Sequence, residues 1–113
     1  MDYVAALEAM ASAQQVHLKV VAHAGDGNLH PTFWIDRQGP DVDAGAMERL
    51  QEALDESITA ALAMGGTITG EHGVGQYKLR WLGQEQPEPV RELQRRIKDL
   101  FDPAGILNPG KAI

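Results

Sequence analysis

Cysteine is absent from this sequence of 113 residues, and acidic residues outnumber basic ones by sixteen to ten. Without cysteine the chain can form neither disulfide bonds nor thiolate metal sites, so any bound metal must be held by nitrogen and oxygen atoms. The formal net charge of -6 argues against nucleic acid as a partner, because phosphate binding needs concentrated positive charge.

Two further features are missing: a basic leader followed by an apolar segment, and any apolar run near the ~18 residues of a membrane-spanning helix. We therefore expect no membrane insertion and a cytoplasmic location. With 43% hydrophobic and 23% charged residues, the composition is typical of a soluble globular protein. The length predicts a single domain over residues 1–113.

Apolar periodicity predicts both helices and strands. Apolar residues three or four apart indicate helices, whereas alternating apolar and polar residues indicate strands with two distinct faces. In chain order we predict a helix over 3–15, strands over 17–23 and 29–36, a helix over 42–64, a short extended piece entering a tight loop within 66–75, one or two helical turns over 76–82, and a last helix with Pro87 and Pro89 in its first turn that Asp102-Pro103 stops. The expected fold is α+β, a small antiparallel sheet covered by helices and followed by a helical C-terminal segment.

The boundaries of the helices are indicated by residues with special backbone preferences. Asp41 or Asp43 is expected to cap the long helix, and the pair Gly65-Gly66 to end it. After the last helix we expect an irregular tail packed by Ile106 and Leu107.

His23 and His30 bracket a glycine-rich loop in the segment HAGDGNLHP, which joins the two predicted strands. If the strands pair with His23 opposite His30, both imidazoles project from the face opposite the apolar residues. Directly opposed residues have Cβ atoms ~4.5–5.5 Å apart, close enough for two ring nitrogens to reach one metal ion. Asp26 and Asn28 can tie the loop to its own amides. The alternative is a pair of hairpin histidines bonded to backbone carbonyls around a plain turn.

A second cluster, Gly70-Glu71-His72-Gly73, places a carboxylate and an imidazole between glycines in a loop after a predicted strand. Glu71 could complete a set of two histidines and one carboxylate, which leaves metal positions open for water or substrate. His72 would then be available for proton transfer, since an unperturbed imidazole titrates near ~6.5. The alternative is an exposed glycine turn with two polar side chains. The remaining histidine, His17, is expected on the surface.

Three segments in order, HAGDGNLHP, GGTITGEHGVGQYKLRWL and FDPAGILNPGK, together resemble the C-terminal part of FAD-linked oxidases of the vanillyl-alcohol oxidase type. The likeness covers residues 16–111 and is strongest to the glycolate oxidase flavin subunit and to D-lactate and D-2-hydroxyglutarate dehydrogenases. The fold that it implies is a partial ferredoxin-like cap domain. The flavin-binding domain of such enzymes has no counterpart in this sequence, so we expect a C-terminal fragment of an FAD-linked oxidase.

The resemblance also implies residue roles. His23, His30 and Glu71 look like ligands of a divalent metal, commonly zinc, which would polarise the substrate hydroxyl and hold the carboxylate. His72 looks like the base that takes the hydroxyl proton as hydride passes to flavin N5. Asn108 and Lys111 resemble cofactor-binding residues of the tail, near the flavin or the active site.

The implied substrate is a small 2-hydroxy acid. Thr32 stands where hydroxyglutarate-type members carry asparagine, which favours glycolate or D-lactate. FAD would be bound mainly by a flavin-binding domain or subunit, the expected partner, and the chain alone would be inactive. An unpaired sheet edge could also support a homodimer. Two alternatives are a stand-alone divalent-metal-binding or interaction module, and a small metal hydrolase in which Glu71 or His72 activates water.

Overall fold

The computed structural model describes residues 2–23, 25–36 and 45–113, and these residues form an α+β fold. The elements in chain order are α1 (Asp2–Ala13), β1 (His17–His23), β2 (Asn28–Trp34), α2 (Ala46–Ala63), α3 (Leu79–Glu85) and α4 (Glu88–Phe101). The predicted fold class is confirmed. The chain forms two compact units, Met1–Gly66 and Thr67–Ile113. Among the described helices, none combines the length and the apolar character needed to cross a membrane.

In the first unit, β1 and β2 form an antiparallel hairpin that packs one face on α1 and α2. Leu18 lies opposite Phe33 on that face, as the alternation of apolar residues predicts. Helix α1 contacts β1, and α2 contacts β2. The buried core that they share consists of Leu7, Ala11, Val16, Phe33 and Ala53. Within the first unit the hairpin is therefore packed on one face, and its histidine-bearing face points away from α1 and α2.

The register of the hairpin differs from the predicted one. His30 lies opposite Val21 and His23 lies opposite Asn28, so the pairing is offset by two residues from a His23–His30 pair. The turn is therefore shorter than a His23–His30 pairing would give, and Asp26 Oδ1 tightens it by accepting a hydrogen bond from the Asn28 N–H at 3.0 Å. Because side chains alternate with a period of two, the offset leaves both histidines on the predicted face.

The end of α2 agrees with the sequence. After Met64, the N–H of Gly65 donates to the Leu62 carbonyl, and the N–H of Gly66 donates to the Ala61 carbonyl. A Cβ atom added to Gly66 would lie 2.9 Å from the Ala61 carbonyl oxygen, so the close approach requires glycine. The predicted start of this helix at residue 42 and its predicted caps, Asp41 and Asp43, lie outside the described residues.

The second unit has a small apolar core around α3. Its buried apolar side chains are Ile68, Trp81 and Leu82. Helix α3 begins three residues later than the predicted 76–82 segment. Helix α4 has Pro87 as its N-cap and Pro89 in its first turn, and it ends at Phe101 with Asp102 as the C-cap, so the prediction that Asp102-Pro103 stops it is confirmed.

Two apolar features of the second unit are more exposed than the sequence suggests. The prediction that Ile106 and Leu107 pack the tail is wrong, because their side chains are 73% and 55% exposed. Their backbone N–H groups instead donate to the buried carboxylate of Asp102 at 3.0 and 2.9 Å, and Lys98 pairs with the same carboxylate. The apolar face of α4 is also exposed, and it consists of Val90, Leu93, Ile97, Leu100 and Phe101.

Candidate functional site

The histidine pair of the first unit lies on the outward face of the hairpin. The rings of His23 and His30 approach edge to face, with centroids 5.3 Å apart and an interplanar angle of 85°. They are diagonal neighbours across the two strands, since His23 faces Asn28 and His30 faces Val21. Diagonal Cβ atoms are up to ~7–8 Å apart, within reach of long or aromatic side chains. The two imidazoles thus come together although the predicted direct pairing is wrong.

The turn between these histidines is built by local chemistry. Gly27 has φ +76°, a backbone conformation that side chains with a Cβ rarely adopt. The hydrogen bond from the Asn28 N–H to Asp26 forms an Asx-type turn, which confirms the predicted role of Asp26. Because the turn is short, β1 and β2 pair directly on either side of it. The turn therefore sets the positions of the two imidazoles on the face of the hairpin.

His17 lies at the other end of the same face and has a different environment. Its ring stacks on Trp34, with centroids 5.2 Å apart, and its Nε2 is hydrogen-bonded to Asp36 Oδ2 at 3.0 Å. The side chain of His17 is exposed, as predicted. His17 therefore provides an internal comparison for the His23/His30 pair, because it is a hairpin imidazole engaged with an aromatic ring and a carboxylate.

In the second unit, Glu71 and His72 occupy an irregular loop that precedes α3. Both side chains are exposed, and Glu71 Oε1 lies 3.7 Å from His72 Nε2. The strand predicted before this loop is absent from residues 67–78, all of which the structure describes. The Thr69 hydroxyl donates to the Gly73 carbonyl at 3.1 Å and closes the loop over these two residues.

The backbone of Ile68 shows why no strand is needed there. Its N–H donates to Glu85 Oε2 at 2.8 Å, and its carbonyl accepts a hydrogen bond from Lys78 Nζ at 3.0 Å. Burial lowers the pKa of Lys78. Neither side chain was predicted from the sequence as part of the site. The available signal was that these charged residues flank the apolar pair Trp81-Leu82, one on each side.

The C-terminal tail meets the glycine-rich loop within the second unit. The Ala112 N–H donates to the Gly75 carbonyl at 2.7 Å, and the Lys111 N–H donates to the Asn108 carbonyl at 3.3 Å. Asn108 and Lys111 are exposed, and Asn108 has a left-handed backbone, φ +48°. The structure thus places the tail backbone beside the end of the loop that carries Glu71 and His72.

The predicted site residues therefore form two local groups, each within one unit. His23 and His30 are in contact in the first unit, and Glu71 and His72 are adjacent in the second. A metal set of His23, His30 and Glu71 stays a prediction, as do the roles of His72, Asn108 and Lys111.

Comparison with known proteins identifies the family. The family described as "FAD linked oxidases, C-terminal domain" matches residues 1–112. The glycolate oxidase subunit GlcD of Bacillus subtilis is 41% identical over 110 residues, which cover 97% of this chain and 23% of that protein. The mitochondrial D-lactate dehydrogenase [cytochrome] of Arabidopsis thaliana is 43% identical over 94 residues, 83% of this chain and 16% of that protein.

A third relative, the D-lactate dehydrogenase of Archaeoglobus fulgidus, is 41% identical over 104 residues, 92% of this chain and 22% of that protein. The chain thus spans about a fifth of the length of these three relatives. Because the family match extends over nearly every residue, the chain belongs to the C-terminal domain family of the FAD-linked oxidases.

Proposed function

We propose that this chain is the metal- and base-bearing C-terminal part of an FAD-dependent 2-hydroxy acid dehydrogenase of the glycolate or D-lactate type. The observation that carries the proposal is the His23/His30 pair, two imidazoles in contact on an outward face of a hairpin. Relatives named glycolate oxidase and D-lactate dehydrogenase support the substrate class. The chain alone should not turn over, since the flavin that accepts hydride would be bound mainly elsewhere in the enzyme.

The donor set suits a divalent metal, and we propose zinc, because imidazole nitrogens and carboxylate oxygens are its usual ligands in catalytic sites. We propose His23, His30 and Glu71 as these ligands. Three protein ligands leave a coordination position for substrate, and a bound metal would supply Lewis-acid polarisation of the substrate hydroxyl.

His72 is the proposed base. Its ring is exposed and lies beside Glu71, with Nε2 3.7 Å from Oε1. A residue next to a metal ligand lies close to whatever the metal binds, so the imidazole is placed to accept the hydroxyl proton. The two adjacent side chains thus have different tasks, since Glu71 binds the metal and His72 accepts the proton.

The proposed partner is a flavin-binding domain or subunit, and FAD is the proposed cofactor. The apolar face of α4 supports such a partner, because an amphipathic helix of 14 residues gains most of its stability by burying that face. Asn108 and Lys111 are proposed to lie near the flavin. A homodimer also stays a proposal, supported by the hairpin, which has no third strand among the described residues.

Zinc titration of the 113-residue chain tests the metal site. Calorimetry should give one ion per chain, and His23→Ala, His30→Ala and Glu71→Gln should each weaken binding by about tenfold or more, because loss of even an outer-shell partner of a metal ligand costs ~10–100-fold in affinity. His17→Ala is the matched control and should leave the affinity unchanged, because His17 is engaged with Trp34 and Asp36.

Equal affinities of the His17, His23 and His30 variants would refute the proposed ligands. The enzymatic part of the proposal is tested by adding FAD, a dye acceptor and glycolate or D-lactate to the isolated chain. No dye reduction is expected, and turnover would show that the chain needs no separate flavin-binding part. If the chain binds zinc strongly but gives no oxidation of glycolate or D-lactate even when a flavin-binding partner is added, a stand-alone metal-binding module would be favoured.

A further inference from the structure

We propose that Lys78 and Glu85 are positioning residues that fix the backbone of the loop carrying Glu71 and His72. The inference rests on the proposed function for the tasks of those two residues. Its own basis is the pair of hydrogen bonds that Lys78 and Glu85 make to the two backbone groups of Ile68.

Ile68 is three residues before Glu71 and is 3% exposed. A buried backbone N–H or carbonyl must find a partner, and in a strand the partner is the neighbouring strand. Here the Glu85 carboxylate accepts the N–H at 2.8 Å, and the Lys78 ammonium donates to the carbonyl at 3.0 Å. Two charged side chains therefore replace a sheet ladder, and charge-assisted hydrogen bonds are stronger than neutral ones.

Both side chains project from one rigid element. Lys78 is the N-cap residue of α3 and Glu85 is its last residue. Trp81 and Leu82 lie between them and are buried, so the helix is anchored by its middle. Because a single short helix supplies both contacts, Ile68 is held from the two ends of α3.

The far end of the loop is held as well. The Thr69 hydroxyl donates a hydrogen bond to the Gly73 carbonyl, and the Ala112 N–H donates one to the Gly75 carbonyl. Glu71 and His72 thus lie between two fixed points of the backbone. A metal ligand or base must be held within ~0.5 Å of its working position, so loosening Ile68 should weaken whatever Glu71 binds, although Lys78 and Glu85 need not touch the ligand themselves.

The test uses Lys78→Met and Glu85→Leu in the whole 113-residue chain. Each change keeps a side chain of similar reach but removes the bond to Ile68. Glu85→Gln is the conservative variant, because its amide oxygen can still accept the Ile68 N–H. Arg96→Met and Glu52→Leu are charge-matched controls at exposed helix positions. The readouts are hydrogen exchange of residues 67–75 without metal, and zinc affinity by calorimetry.

We expect Lys78→Met and Glu85→Leu to speed exchange in residues 67–75 by about tenfold and to weaken zinc binding by a similar factor. Glu85→Gln and both controls should stay close to the unmodified chain. Unchanged exchange in that segment, or faster exchange with unchanged zinc affinity, would overturn the inference. Faster exchange throughout the chain, with Glu85→Gln no better than Glu85→Leu, would overturn it too, since the pair would then support the fold generally.

The two proposals fail in different ways. If the unmodified chain binds no zinc, or if His23→Ala and Glu71→Gln do not weaken binding, the proposed metal site is wrong. The exchange of residues 67–75 still decides whether Lys78 and Glu85 fix the loop, because that measurement requires no metal.

Discussion

The hairpin that carries His23 and His30 should depend on Leu7, which packs in the core of the first unit and is 0% exposed. Leu7→Ala removes three carbon atoms from this core. At ~0.8 kcal/mol per buried carbon the lost transfer free energy is about 2.4 kcal/mol. The cavity left behind adds to this, so we expect a loss of about 3–4 kcal/mol in the free energy of unfolding.

Leu93→Ala is the matched control, because it removes the same atoms from a side chain that is 55% exposed on α4. Its expected cost is below about 0.5 kcal/mol, the usual range for exposed positions. Urea unfolding followed by circular dichroism measures both variants, and hydrogen exchange of the β1 and β2 amides shows whether the loss lies in the first unit. Similar costs for the two variants would refute the assignment of Leu7 to the core that supports the hairpin.

Two further predictions concern the second unit. The pKa of Asp102 is lowered, first by its hydrogen bond from Lys98 and then by the backbone N–H groups of Leu107 and Ile106. A lowered folded-state pKa stabilises the fold above the unfolded-state value, and this stabilisation is lost as pH falls through the folded-state pKa. The Leu107 amide resonance should therefore titrate below ~3.9, the ordinary aspartate value, and a midpoint at or above that value would contradict the contact. The second prediction concerns the apolar face of α4. Ile97→Asp should weaken the binding affinity of the chain for the flavin-binding domain of a related oxidase by about tenfold or more, whereas Asp99→Asn should leave that affinity unchanged. Equal affinities of the two variants would argue against this face as the contact surface.

The strands could be predicted closely because their sequences alternate. The segment 17–23 coincides with β1, and the apolar residues Leu18 and Phe33 share the core face as predicted. The register could not be predicted, because alternation determines which face a residue takes but not how many residues the turn consumes. That number depends on Gly27 and on the hydrogen bond between Asn28 and Asp26.

The loop around Glu71 shows a different limit. Its sequence favours an extended segment, yet residues 67–78 contain no strand, because the partners of the Ile68 backbone are side chains ten and seventeen positions later. Local preference does not encode such contacts. Helix α4 is a third case, since its periodicity predicts its apolar face correctly but says nothing about what covers it.

By itself, the sequence determined the α+β class, the two faces of the hairpin, the glycine end of α2, and the residue types from which a metal site could be built. These follow from side-chain periodicity and backbone preference, which act over a few neighbouring residues. Only the tertiary structure decided the strand register, the contact between the imidazoles of His23 and His30, and the attachment of Ile68 to Lys78 and Glu85. Those features depend on how many residues a turn uses and on contacts between separate elements, and side-chain periodicity encodes neither.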